Sequence, residues 1–365
     1  MKRLLYIVPE LLGGGITVHL FEMIRGMTSK GYIVHIVCIT EQYWPNYVKK
    51  IIKMGIKVTI IKMSKNIDVK DLVNVEALKQ FVDEVIIKIN DLVDEFKPDI
   101  IHAHGYAIIC FSSSQWKNSR KCFYTIHSMH DSIINAAKIW PDIAENTVLI
   151  AVSEICASYI EKAINKNPVV IYNGINSSRF KAREHYASDI VKLVNVTRLS
   201  IDKNNAFLFE VGRILKEQGI RFQMLLAGRG EVSYENKLKQ RVIEMGLEDE
   251  ILFLGHVDED DVPDLLQKCD IFVHPSVEAF GMAVVEAMLS GLPVVSINKG
   301  AACELINSGW NGFLVEEDAH TFANGVKKLI NDPEKRTAIG TRARRKGLLF
   351  SIEAMIDRYL QLYNN

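Results

Sequence analysis

Short, unbroken apolar runs punctuate the chain at residues 4–8, 33–39, 58–61, 100–103, 123–126, 148–152 and 169–171. Each has strand length and is bounded by polar or turn-forming residues. They do not alternate apolar with polar positions, so both faces must be covered, as in a parallel sheet flanked by helices. Longer stretches with helical spacing of apolar positions lie between several of them, notably 17–29 and 77–96. The rhythm then restarts at 191–197, 222–227, 251–254, 271–274, 294–297 and 313–315. Between the two series lies Asn173-Gly174-Ile175-Asn176-Ser177-Ser178-Arg179-Phe180, followed by the charged residues 181–189. This polar, turn-forming segment reads as a linker. The pattern therefore predicts an α/β chain of two Rossmann-like, doubly wound domains facing across a cleft, residues 1–176 and 177–350. Residues 351–363 are amphipathic, and the terminal helix 351–365 is expected to pack back onto the first domain.

Length and composition narrow this reading without changing it. A chain of 365 residues suits two to three domains, and no apolar run approaches the roughly 18 residues that span a bilayer. Met1-Lys2-Arg3 and the apolar residues after it resemble the start of a signal peptide. The run ends at Pro9-Glu10 with no small-residue cleavage pattern, so a buried first strand is the better reading. The formal net charge is zero, which gives no electrostatic footprint for nucleic acid. The six cysteines are scattered, with no C-x-x-C pair, and read as reduced core residues of a cytoplasmic protein.

The densest chemistry lies in the second domain. A strand-like 270–276 feeds Val277-Glu278-Ala279-Phe280-Gly281-Met282-Ala283-Val284-Val285-Glu286-Ala287-Met288, and Gly291 and Pro293 close the segment. Two carboxylates thus lie eight positions apart, one before a short helix and one inside it. Such a helix points unpaired amides beyond the preceding strand, which makes an anion site. Arg198 and Lys203 follow the strand at 191–197 and sit at the carboxyl edge of the sheet, where open α/β sheets bind ligands. Alone, these are an ordinary loop arginine and lysine. Gly228-Arg229-Gly230 ends another strand, a weak signal by itself, and Gly255-His256-Val257 ends a third with backbone able to read a base edge. Glu286 stands among Ala283, Val284, Val285, Ala287 and Met288, where an acid needs a partner.

Taken in order, these pieces resemble the family-4 retaining glycosyltransferases of the GT-B fold, over nearly the whole chain. The most specific part is Glu278 through Glu286 together with Arg198 and Lys203. The resemblance implies that Arg198 and Lys203 hold the diphosphate of a nucleotide-sugar donor. It implies that Glu286 takes the ribose hydroxyls and that Glu278 lies against the donor sugar. Main-chain groups of Phe280, Gly281 and Met282 would approach sugar and phosphate, with Gly228 and Val257 among the donor-binding positions. Ala279 and Asn204 replace glycines often seen at those places.

In the first domain, Leu12-Gly13-Gly14-Gly15-Ile16-Thr17 falls between the first strand and first helix, where glycines permit close backbone approach. A dinucleotide fingerprint would need glycine at position 18, which is Val18, and an acid ending the second strand, where only Glu41 is offered. The resemblance places Gly14 and Gly15 near diphosphate and acceptor across the cleft. His102 and His104 share one face of their strand, and Tyr124-Thr125-Ile126-His127-Ser128-Met129-His130-Asp131 ends the next. A zinc site from His102, His104 and His127 is disfavoured, because no cysteine or carboxylate completes a familiar spacing. The resemblance marks His127 as the active-site histidine beside the donor sugar and His104 as lining the acceptor cleft. His102 reads as packed and His130 as solvated.

Residues 42–66 contain no acid but carry Lys49, Lys50, Lys53, Lys57, Lys62 and Lys65, with Tyr43, Trp44 and Tyr47 at the front edge. The stretch suits either a solvated helix face or peripheral contact with an anionic membrane on its cytoplasmic side. Asp258-Glu259-Asp260-Asp261 resembles a metal-binding string, but acids at a helix start simply suit the dipole. The resulting expectation is a retaining, metal-independent, cofactor-free transferase. It would move a sugar, from UDP by preference, to a hydroxyl of a glycan or lipid-linked acceptor in bacterial surface polysaccharide or glycoconjugate synthesis. The rival readings are a non-catalytic nucleotide-sugar or glycan-binding protein, and a sugar-nucleotide epimerase.

Overall fold

A computed structural model describes residues 1–12, 14–63, 75–112, 115–129, 132–183 and 190–364. Gly13, Lys65, His130, Asp131 and most of the charged stretch 181–189 fall outside them. The chain divides into two compact units, Met1–Gly174 with Ile352–Asn365, and Ile175–Ser351.

The first unit holds seven parallel strands: β1 (Arg3–Val8), β2 (Ile33–Cys38), β3 (Lys57–Ile60), β4 (Ile100–His104), β5 (Lys121–Ile126), β6 (Thr147–Ala151) and β7 (Val169–Val170). Their order is β3-β2-β1-β4-β5-β6-β7. Five of the seven are buried over most of their length, which is why the sequence shows runs rather than alternation. Helix Gly15–Ser29 starts two residues earlier than its periodicity indicates, with Gly14 as its N-cap. The Ile352–Asn364 helix belongs to this unit: Met355, Ile356, Tyr359 and Tyr363 are buried in the core built on β1, β2 and β4. None of the six cysteines forms a disulfide; five are buried and Cys303 is exposed. No described helix is long and apolar enough to cross a membrane.

The second unit repeats the plan with β8 (Val191–Val196), β9 (Phe222–Ala227), β10 (Ile251–Gly255), β11 (Ile271–His274), β12 (Val294–Ile297) and β13 (Gly312–Val315), ordered β10-β9-β8-β11-β12-β13. The chain enters and leaves this unit side by side: Ile175 N donates to Phe350 O at 2.9 Å, and Ile175 bridges Ser351. Each sheet has one place where the order of strands reverses, between β1 and β4 and between β8 and β11. Loops leaving two adjacent strands diverge there, and the gap between them is where such sheets accept ligands.

Candidate functional site

Two sites are described, one at each reversal point. In the second unit the loop after β8 carries Arg198 and Lys203, and the loop after β11 carries Ser276 and Glu278. Lys203 Nζ meets Glu278 Oε1 at 2.7 Å, and Ser276 Oγ donates to the same oxygen at 3.1 Å. Asp202 lies 3.5 Å from Lys203 and 3.6 Å from Arg198, whose side chain is 67% exposed. Burial pushes the Asp202 carboxyl upward, but the Ser200 hydroxyl, followed by Lys203 and Arg198, holds it below its usual range. Asn204 takes the left-handed conformation at φ 52°, which explains why a glycine suits that position and why asparagine is the next best choice. Its amide reaches Pro275 O at 3.4 Å and so ties the two loops together.

The Glu278 backbone is braced from behind. Ala301 N donates to Glu278 O at 2.9 Å. Gly300, at φ +61°, packs so closely that a Cβ there would lie 2.7 Å from Glu278 O. Past Glu278 the chain turns at Gly281, the N-cap of helix Met282–Leu289; Val284 N and Val285 N turn back to Gly281 O at 3.0 and 3.3 Å, while Met282 and Ala283 come too early in the helix for their amides to have an intrahelical acceptor. One turn along, Glu286 is partly buried. Its surroundings push its carboxyl up to about 7, burial being the cause, with Arg179 pulling down and Glu259 pushing up. Arg179 is itself held by the Glu259 carbonyl and by Asp260, 3.5 Å away. The acidic string at 258–261 therefore serves in part to fix an arginine.

The remaining strand ends converge from the other side. Gly228 must be glycine because a Cβ there would sit 1.8 Å from Thr197 O, so the ends of β8 and β9 touch backbone to backbone. Gly228 N also donates to Gly255 O at 2.7 Å, which draws in the turn bearing Val257. Phe280 is buried, whereas Gly281 and Met282 are partly exposed beside Glu278.

At the reversal point of the first unit the groups are imidazoles. His104 ends β4, and its Nδ1 lies 2.9 Å from Nε2 of His127, just past β5. His104 is fully buried while His127 is partly exposed, so the strand end expected to line a cleft is covered and His127 is its outward face. His19 comes from helix Gly15–Ser29, whose N-cap is Gly14, and its ring meets His127 edge-on at 4.8 Å between centroids. Burial pushes His19 down to about 4 and holds His104 and His127 well below the usual imidazole range. The three are therefore neutral at pH 7. His102 is packed, as its position suggests: its nitrogens meet the Tyr363 hydroxyl at 2.5 Å and Thr125 Oγ1 at 2.8 Å. Among the described residues the group able to hold a metal ion is His19, His104 and His127 rather than a set containing His102.

Sequence reasoning did not single out His19, Ser276, Gly300 or Arg179 as site residues. His19 shares no local pattern with His104 and His127. Gly300 looks like any loop glycine until Glu278 O is set against it.

Two doubly wound parallel units, with charged strand ends in one and imidazoles in the other, define the GT-B class of fold. The Anabaena protein HepE, solved in complex with UDP and glucose, aligns over 100% of both chains with a TM-score of 0.80 at 21% identity. The chain belongs to the family-4 type of glycosyltransferases: residues 13–179 match the profile "Glycosyltransferase Family 4" and residues 178–346 match "Glycosyl transferases group 1". EpsD of Bacillus subtilis (strain 168), provisionally named a glycosyltransferase, is 24% identical over 305 residues, 76% of this chain and 79% of that protein. WcaL of Salmonella typhimurium (strain LT2), provisionally named a colanic acid biosynthesis glycosyltransferase, is 31% identical over 183 residues, 47% of this chain and 45% of its own.

Proposed function

We propose that this glycosyltransferase moves a sugar from a nucleoside diphosphate sugar, UDP-linked by preference, to a hydroxyl of a glycan or lipid-linked acceptor with retention at the anomeric carbon. The observation that carries the proposal is the Lys203–Glu278 pair at the strand ends of the second unit, with Glu286 on the helix that follows. A diphosphate gains negative charge as it departs. Lys203, Arg198 and the first-turn amides of Met282–Leu289 supply positive potential where that charge develops. In the free protein the Lys203–Glu278 pair keeps both partly buried charges compensated. Donor phosphate then competes for Lys203 and leaves Glu278 to accept hydrogen bonds from the sugar. Two vicinal ribose hydroxyls match the two acceptor oxygens of Glu286 once it is ionised.

His127, neutral and partly exposed, hydrogen-bonds the sugar beside the reacting carbon. The acceptor hydroxyl attacks from the face the diphosphate leaves, its proton passing to a phosphate oxygen of the leaving group. No metal takes part in this scheme. HepE, seen with UDP and glucose, and WcaL, named for colanic acid biosynthesis, support the uridine donor and a place in bacterial surface-glycan assembly. The Pro45–Lys53 helix, with Trp44 and Ile52 exposed and lysines in its last turn, supports peripheral contact with an anionic membrane.

Incubation with a panel of UDP- and GDP-sugars and simple lipid-linked acceptors tests the reading. The expected result is one sugar transferred without loss in EDTA, and an anomeric proton coupling in the product that matches the donor. An inverted product removes the retaining mechanism. Donor isomerised without acceptor indicates an epimerase, and binding without turnover indicates a non-catalytic module. Liposome sedimentation at low and high salt tests the membrane contact, and no binding at either salt removes it.

A further inference from the structure

His19, His104 and His127 reach one spot from three separate elements: the first helix, the end of β4 and the segment past β5. One ring nitrogen from each lies within 4.8 Å of the other two. The hydrogen bond between His104 Nδ1 and His127 Nε2 uses one nitrogen of each ring. Among the described residues, both nitrogens of His19 and the Nε2 of His104 are buried without a well-aligned hydrogen bond, and the Asn173 side chain lies near enough to His19 to act as a partner for one of its nitrogens. Buried polar atoms are nearly always partnered, so a buried His19 ring with an unsatisfied nitrogen beside the His104–His127 pair marks a place built for a further group.

The available donors select its chemistry. Three imidazole nitrogens, joined by no carboxylate or thiolate in the group, suit a borderline cation such as Zn²⁺, Co²⁺, Ni²⁺ or Cu²⁺. They do not suit Mg²⁺ or Ca²⁺, which take oxygen ligands. Tetrahedral zinc with Zn–N bonds of about 2.0–2.1 Å separates its nitrogens by roughly 3.3 Å. The His104–His127 pair at 2.9 Å would open slightly, and His19 would close in from within 4.8 Å. His102 is excluded, since both its nitrogens are already engaged by Tyr363 and Thr125.

We propose that His19, His104 and His127 form a transition-metal site of the zinc class, with a fourth position open on the side where His127 is exposed. Each imidazole stays neutral, its lone pair toward the ion and its N–H on the other nitrogen, so binding changes no net proton count. One consequence rests on the proposed role of His127 in transfer. Zinc would withdraw that ring from the sugar, making the ion an inhibitor of an enzyme that needs none.

Titration of the metal-free, full-length protein with Co²⁺ is the test, read by visible absorption. The expected result is one equivalent bound with bands of a four-coordinate site, displaced by one equivalent of Zn²⁺. His19→Asn should weaken binding at least tenfold, while His320→Asn, at an exposed histidine, should leave it unchanged. No cobalt band at several-fold excess, or unaltered binding by His19→Asn, overturns the site. Should His19→Asn fail to fold, ring-nitrogen NMR of the wild type decides: zinc must shift three histidines and no others. Activity provides a separate arm. Zinc bound without inhibition leaves the site standing and removes His127 from the reaction, whereas absence of binding leaves the transferase reading untouched.

Discussion

At the reversal point of the second unit a lysine and a glutamate meet at 2.7 Å, with an arginine and a second glutamate close behind. At the corresponding point of the first unit three imidazoles gather, all held neutral. The strand order around both points is the same, so topology supplies two diverging loops and nothing more. Chemistry is set by which residues end the strands. Charges held ready by ion pairs suit a ligand that is itself charged, which can take over one partner of the pair. Buried neutral rings suit hydrogen bonding or metal ligation, and they resist protonation because burial disfavours the cation.

The comparison can be broken most forcefully at Lys203. Lys203→Ala should lower the transfer rate by about 10²–10³-fold, the usual cost of one preorganised group that stabilises developing charge. A loss under fivefold in steady-state kinetics would mean the charged site is not where the diphosphate departs.

Acid should separate the two units next. His19, His35, His102, His104 and His127 in the first unit all have depressed values, against His274 in the second. Below pH 6.5 the unfolded chain binds protons that these buried rings refuse. Their contribution is therefore whole above pH 6.5 and declines as pH falls toward 4 and below. Each ring can remove up to about 1.4 kcal/mol per pH unit. Glu286, raised to about 7, works in the opposite direction within the second unit. Hydrogen exchange across pH 7 to 4.5 should show the first unit losing protection while the second keeps it. Simultaneous loss would show that the histidines do not set the difference.

Gly300→Ala sharpens the account of how Glu278 is held. The clash with Glu278 O and the left-handed backbone together should cost about 1–3 kcal/mol and weaken donor binding, measured by denaturant melts and calorimetry. Normal binding at lowered stability would separate the brace from the site.

The smallest effect belongs to Glu286→Gln. Because the folded state raises this pKa, the carboxyl favours folding below pH 4.5 and its contribution is lost as pH rises through about 7. The amide should therefore gain about 1 kcal/mol of stability at pH 8 and little at pH 4.5, while nucleotide affinity falls. Thermal melts at the two pH values check this, and equal gains at both would contradict it.

Both sheets were legible in the sequence because buried parallel strands leave unbroken apolar runs, and most boundaries agree within two residues. The run at 169–171 shrinks to the two residues of β7, where few ladder partners remain at the sheet edge. Helix Pro45–Lys53 was foreseen only as one reading of a basic stretch, and Pro333–Gly347 was not foreseen at all. In the latter, lysine and arginine crowd the sequence, and only Ile339, Gly340, Ala343 and Gly347 are buried. At the second reversal point, Glu278 and Glu286 were visible because one short segment carries both. The parts that stayed hidden depend on contacts between distant segments: Arg179 against Glu259, Gly300 against Glu278, and His19 against His104 and His127. No local periodicity encodes such pairs.

The central claim is that the charged reversal point holds a nucleoside diphosphate sugar. Thermal-shift titration of wild type and Lys203→Ala with UDP, GDP and their sugars tests it most directly. A ligand at 100 times its dissociation constant adds about 2.7 kcal/mol to stability. The account predicts a clear upward shift for the wild type with a uridine diphosphate sugar, and its loss in Lys203→Ala. No shift with any nucleotide at millimolar concentration, or an equal shift in both proteins, would contradict it.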